Sequence, residues 1–272
     1  MNSSGLWTAY GRPEKKGGNL RLKLIGCEVL CRELCQALVR CRHHVDVEFL
    51  PKGLHDLGAA GMLARLQEVL ARVDESKYEA ILLGYALCGN GIVGLQARTI
   101  PLVVPRGHDC ITLLLGSRQR YHDYFNSHPG VYFTSTGWLE RGQSLQQTSQ
   151  LSLRNETGIG YSYEELLEKY GEENARFLFD QLCNYTRNYG QMTYIEMGIE
   201  PDNSFEQKTV EEAEKRGWRY EKLQGDMRLF NQLLGGEWNP EDFLVVRPGC
   251  RIKSCYDERI VDAVEADKQV FP

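Results

Sequence analysis

Short apolar runs alternate with amphipathic stretches along most of the chain. Leu22–Gly26 reads as a strand ending at Cys27, and Glu28–Arg42 has helical spacing, with Leu30, Leu34, Ala37, Leu38 and Cys41 on one face. Val45–Leu50 alternates as a strand does. Gly58–Glu75 forms a second amphipathic helix through Met62, Leu66, Val69 and Leu70. Tyr78–Tyr85 is a nearly continuous apolar strand of the kind buried on both faces of a parallel sheet. A Gly- and Asn-rich loop follows, then strand Pro101–Pro105, a helix over Cys110–Asn126 capped by Asp109, and strand Val131–Thr134.

Periodicity then lapses over Glu140–Gly160, a stretch rich in Gln, Ser and Thr that reads as a linker. Ser162 and Glu165 form a capping box opening a helix to Tyr170, and Glu172–Asn188 continues helical. Strand Met192–Met197, helix Thr209–Arg216, strand Trp218–Lys222, helix Met227–Leu234 behind Asp226, and strand Phe243–Arg247 complete the pattern. The order predicts an α/β protein with two Rossmann-like lobes, mostly parallel sheets and a cleft between them. The expected division is a lead-in at 1–20, a first lobe at 21–140, a linker at 141–160, a second lobe at 161–252 and a tail at 253–272. The two β-α-β-α-β runs resemble a duplication, with third strands AILLGYALC and FLVVRPGC each ending near a cysteine.

Composition narrows the function. The 272 residues are 42% hydrophobic and 25% charged with a net charge of -5, which argues against a nucleic-acid partner. No apolar run approaches a membrane span and the first residues lack a signal-peptide core, so a cytoplasmic protein without membrane contact is expected. Nine cysteines then stand out, because in that compartment they act as thiols, metal ligands or catalytic groups. No CxxC pair occurs, so a metal site has to be assembled from distant segments.

Cys27, Cys88, Cys110 and Cys250 lie at or just beyond strand ends, and the carboxyl ends of parallel strands share one edge. Cys27, Cys88 and Cys110 are therefore expected together, with Cys250 joining if the second lobe faces the first. Cys27 and Cys110 at helix N-termini are expected to favour thiolate. Such a set suits an iron–sulfur cluster, with Cys250, His108 or an open position as the fourth ligand; zinc and simple packing are the alternatives. Cys31 and Cys35 share a helix face and read as packing residues, as do Cys183 and Cys255.

Gly89, Gly91 and Gly94 match G-x-G-x-x-G, but too few residues precede the next strand for a dinucleotide crossover helix. Gly89, Asn90, Gly91 and Gly94 are better read as a tight loop that lets backbone N–H groups approach a cluster or an anion. Arg106 is a candidate anion holder, His108 and His55 candidate acid/base groups, and Tyr85 a candidate donor to substrate.

The segments LIGCEVL, VEFLPKGLHDL, ILLGYALCGNGIVGL, VVPRGHDCITLLLGS and YGEENARFL resemble a prokaryotic family, the domain-of-unknown-function family 1638, from about residue 22 to 252. Ala86 stands where the family usually has Gly, and Gly107 where it often has Ala. The resemblance implies an association with anaerobes and corrinoid-dependent methyl transfer, hence a corrinoid protein or an electron donor as partner. By fold analogy it points to subunits of the 2-hydroxyacyl-CoA dehydratase type. The expectation is a cytosolic iron–sulfur enzyme acting on a small anionic metabolite. Its alternatives are a zinc-dependent methyltransferase or hydrolase at the same site, and a non-enzymatic corrinoid or metabolite carrier.

Overall fold

A computed structural model describes residues 18–141, 163–178 and 189–266. It is a mixed α/β structure with mostly parallel sheets. The larger sheet runs β2-β1-β3-β4-β8, from β1 (Arg21–Cys27), β2 (His44–Leu50), β3 (Ala80–Gly84), β4 (Leu102–Pro105) and β8 (Phe243–Val246). β1 to β4 are mutually parallel, whereas β8 pairs antiparallel with β4. A second sheet aligns β5 (Val131–Ser135), β6 (Gln191–Glu196) and β7 (Arg219–Gln224), all parallel.

Strand alternation explains why both faces of the larger sheet are buried. Leu22, Leu24, Ala80, Leu82 and Val103 face one core, covered by α1 (Cys31–Arg40), α3 (Cys110–Leu115) and α9 (Arg228–Gly235). Ile25, Cys27, Ile81, Leu83 and Val104 face the other, covered by Met62, Leu66, Val69 and Leu70 of α2 (Gly58–Ala71).

Several elements depart from the sequence expectation. The region expected as one helix at Cys110–Asn126 is two, α3 and α4 (Arg118–Ser127). Gly116 at φ 71 ends the first, and the Ser117 hydroxyl accepts from Arg120 N at 3.2 Å to start the second. Val131–Ser135 leaves the first sheet and heads the second, while Phe243–Val246 returns to the first. The chain therefore crosses between sheets twice, and the second β-α-β-α-β run does not close on itself. A hairpin of β9 (Cys250–Ser254) and β10 (Val261–Glu265) spans the expected boundary between second lobe and tail. Ser162, Cys183 and most of the expected linker lie outside the described residues.

Between the sheets lies α5 (Thr136–Arg141), which follows β5, with α8 (Ser204–Arg216) over the second sheet. Helices α6 (Tyr163–Tyr170) and α7 (Glu172–Leu178) complete the described elements. At the base of α5, Gly137 passes so close to the 3-10 turn Glu28–Leu30 that a Cβ there would sit 1.7 Å from the Val29 carbonyl oxygen. Arg32 of α1 pairs with Glu140 of α5 through bonds of 2.8 and 2.5 Å.

Glu33 of α1 is 1% exposed and its Oε2 has no hydrogen-bond partner. Burial, reinforced by nearby Glu200, pushes its carboxyl up to about 7. The native state then holds a proton that the unfolded chain releases at lower pH, so stability falls as pH rises from about 4.5 to about 7. At pH 8, Glu33→Gln is expected to stabilise the fold by about 2–3 kcal/mol, with no gain at pH 4. Urea unfolding at the two pH values measures this; an equal effect at both contradicts it.

Candidate functional site

The carboxyl ends of β1, β3 and β4 place the sequence-predicted groups on one edge. Cys27 is the last residue of β1, 3% exposed. In the adjacent strand, Gly84 is in register with Gly26, and Leu34 of α1 presses on both. A Cβ on either glycine would meet Leu34 Cδ1 at 2.8 or 2.9 Å, so the two glycines let this leucine of α1 seat closely on the sheet.

Cys88 follows β3 in the left-handed region at φ 47, which costs a non-glycine residue about 1–2 kcal/mol. Two backbone bonds fix it there: Cys88 N donates to His108 O at 2.8 Å, and Gly91 N donates to Cys88 O at 3.1 Å. Leu87 N likewise donates to Gly107 O at 2.9 Å, so the loops after β3 and β4 are laced together. That lacing brings Cys88 beside Cys110, which opens α3. Asp109 caps that helix as expected, its Oδ1 accepting from Ile111 N at 3.0 Å and Thr112 N at 3.4 Å. Its Oδ2 accepts from Tyr121 at 3.1 Å.

The three thiols act on one another electrostatically: Cys27 and Cys88 raise Cys110, and Cys27 raises Cys88. Burial is the larger influence on each. It pushes Cys27 up to about 11, Cys88 up to about 12 and Cys110 well above the ordinary thiol value. This corrects the expectation of thiolates at helix N-termini, because desolvation outweighs the helix field.

His55 Nε2 lies 3.8 Å from Cys27 Sγ, and its ring centroid is 6.5 Å from that of Tyr85. Tyr85 is 1% exposed and its hydroxyl is buried without a hydrogen-bond partner; burial and then Cys27 and Cys88 hold it protonated. A buried hydroxyl left unpaired costs about 1–3 kcal/mol. Thr112 Oγ1, beside Gly107, is likewise buried without a partner.

Three other candidates have different partners. Arg106 is 8% exposed and its guanidinium donates to the carbonyls of Pro240 at 2.9 Å, Arg259 at 3.0 Å and Val261. It clamps the C-terminal hairpin to the first sheet, with its Nε and Nη1 donors committed to backbone carbonyls. Cys250 begins β9, with its carbonyl accepting from Ala97 N at 3.0 Å, at the far end of the glycine loop. His108 is exposed; its ring centroid lies 6.3 Å from that of Tyr121, while its carbonyl holds Cys88.

The glycine loop divides. Gly89 and Asn90 are exposed with φ 62 and 69. Gly91 packs on Met62 and Gly94 on Leu63. Gly94 N donates to Ile252 O at 2.8 Å, so the loop leans on the hairpin and has no crossover helix. A cavity of about 230 Å³ lined by Lys23, Glu48, Arg72 and Lys77 lies elsewhere, at the base of α2, and its cations are paired with Glu48 and Asp74.

Sequence reasoning missed Trp138. Its side chain hydrogen-bonds to Cys110, and Lys52 Nζ stands 4.1 Å from its ring centroid. Trp138 lies just past Val131–Ser135, a strand expected in the first lobe that the structure places in the second sheet, so its approach to Cys110 was not written in the local pattern. Among the described residues, no group of three or more His, Cys, Asp or Glu side chains is already set as a metal site. No described helix is long and apolar enough to cross a membrane.

No curated protein and no solved structure matches the chain. The model of a family described as a protein of unknown function, DUF1638, matches residues 49–234. That span contains His55, Tyr85, Cys88, Cys110 and Trp138, while Cys27 lies before it. It covers well over half of the sequence, and the chain belongs to the DUF1638 family.

Proposed function

We propose that this chain is an enzyme with a cysteine-ligated iron–sulfur centre, acting on a small anionic metabolite between two Rossmann-like lobes. The observation that carries the reading is the convergence of Cys27, Cys88 and Cys110 beside the unpartnered buried hydroxyl of Tyr85. Three soft donors from three separate strand ends suit thiophilic iron, and the orphaned hydroxyl marks a place where a polar ligand would be welcome. The thiols have to rotate and lose protons to ligate, a step that metal binding itself drives.

Cys27, Cys88 and Cys110 would hold the centre, leaving one position open. Bound there, it would supply Lewis acidity or an electron. Tyr85 Oη would donate to the substrate oxygen and His55 would exchange a proton near Cys27. His108, exposed at the rim, would return protons from solvent. With Arg106 committed to the hairpin, the exposed Gly89–Asn90 tip is the remaining backbone for an anion. The proximity of His55 to Cys27 favours a second reading, zinc held by mixed sulfur and nitrogen donors.

Metal reconstitution under anoxic conditions tests the site. Cys27→Ser/Cys88→Ser/Cys110→Ser is expected to lose bound metal while Cys250→Ser retains it. Unchanged metal in the triple variant would remove the reading. Loss on His55→Ala, with zinc bound and no sulfide, would select the second.

A further inference from the structure

Outside that site, Cys31 and Cys35 stand one turn apart on α1 with their Sγ atoms 4.0 Å apart. They are not the packing residues their spacing suggested: Cys35 is exposed and Cys31 partly exposed. We propose that Cys31 and Cys35 form a thiol–disulfide site that is oxidised by small disulfides of the glutathione class.

Helical neighbours four apart have Cα atoms roughly 6 Å apart, inside the roughly 4.4–6.8 Å that a disulfide spans. Their Cβ atoms, about 5–6 Å apart in a regular helix, must close by about 1–2 Å. The turn that has to tighten is the first of α1, which has no side-chain cap. A bond closed under such strain is easily reduced, which suits a reversible site rather than a permanent staple.

The chemistry balances as two exchanges. The exposed Cys35 thiolate attacks one sulfur of the small disulfide, releasing one thiol and leaving a mixed disulfide. Cys31 then attacks Cys35 Sγ and expels the second thiol. Two protein thiols lose two hydrogens and the small disulfide gains them. Burial and the neighbouring Cys31 both raise the Cys35 thiol, so the exchange speeds up with pH.

Trypsin cleaves between the two residues at Arg32, placing Cys31 in peptide 24–32 and Cys35 in peptide 33–40. After incubation in oxidised glutathione and alkylation of free thiols, the two peptides are expected as a linked pair that dithiothreitol dissolves. The link should vanish in Cys31→Ser and in Cys35→Ser, both still folded by circular dichroism. Unlinked peptides in the folded wild-type chain would overturn the proposal. So would a link that survives Cys31→Ser, because Cys27 shares that peptide. Neither outcome depends on metal at the Cys27–Cys88–Cys110 site.

Discussion

Replacing Gly137 with alanine is expected to destabilise the protein by about 3 kcal/mol or more and to pull Trp138 away from Cys110. The added Cβ would lie 1.7 Å from the Val29 carbonyl oxygen, a clash with backbone that no rotamer relieves. Either α5 lifts from the 3-10 turn or the turn leaves the sheet. Both movements disturb the segment between Cys27 and α1. Gly53→Ala is the control, since a Cβ there meets nothing within 4 Å and the residue has no positive φ. Urea unfolding of the two variants should separate them clearly. Equal stability would mean that the packing of α5 on the turn is misplaced.

Arg106→Met is the second large effect, an expected loss of about 3–5 kcal/mol. The methionine fills much of the space but leaves the carbonyls of Pro240, Arg259 and Val261 without their donor. The hairpin should loosen first, and trypsin should cut it at Arg251, Lys253 or Arg259 well before the rest of the chain. A variant of unchanged stability and unchanged proteolysis would contradict the clamp and return Arg106 to the role of an anion holder.

The sequence made the first sheet legible because its strands are buried on both faces and so appear as dense apolar runs: LKLIG, ILLGY and PLVVP. It also showed the Asp109 cap and the positions of Cys27, Cys88 and Cys110, because local chemistry and strand direction set both. Partner choice was not legible. Val131–Ser135 and the apolar run Phe243–Val246 both read as strands, but a strand pattern records which faces are buried and not which sheet receives it. The break at Gly116-Ser117 was written locally, as a left-handed residue followed by a hydroxyl cap, and was overridden by the helical spacing on either side.

The candidate site divides along the same line. The cysteines could be placed from the strand ends that carry them. Arg106 could not, because its three acceptors lie 134 to 155 residues away along the chain. Trp138 could not, because it reaches Cys110 from the second sheet. Burial also reversed the expected ionisation of Cys27 and Cys110, since the field of one short helix is smaller than the cost of removing a charge from water.

The most direct test of the central claim is the iron, acid-labile sulfide and zinc content of the full chain purified without oxygen, read together with its absorption spectrum. The account predicts iron and sulfide together, with a broad thiolate-to-iron band near ~400 nm that oxygen bleaches. Protein that binds neither iron nor sulfide on anoxic reconstitution, while folded, would contradict it and leave Cys27, Cys88 and Cys110 as packing residues.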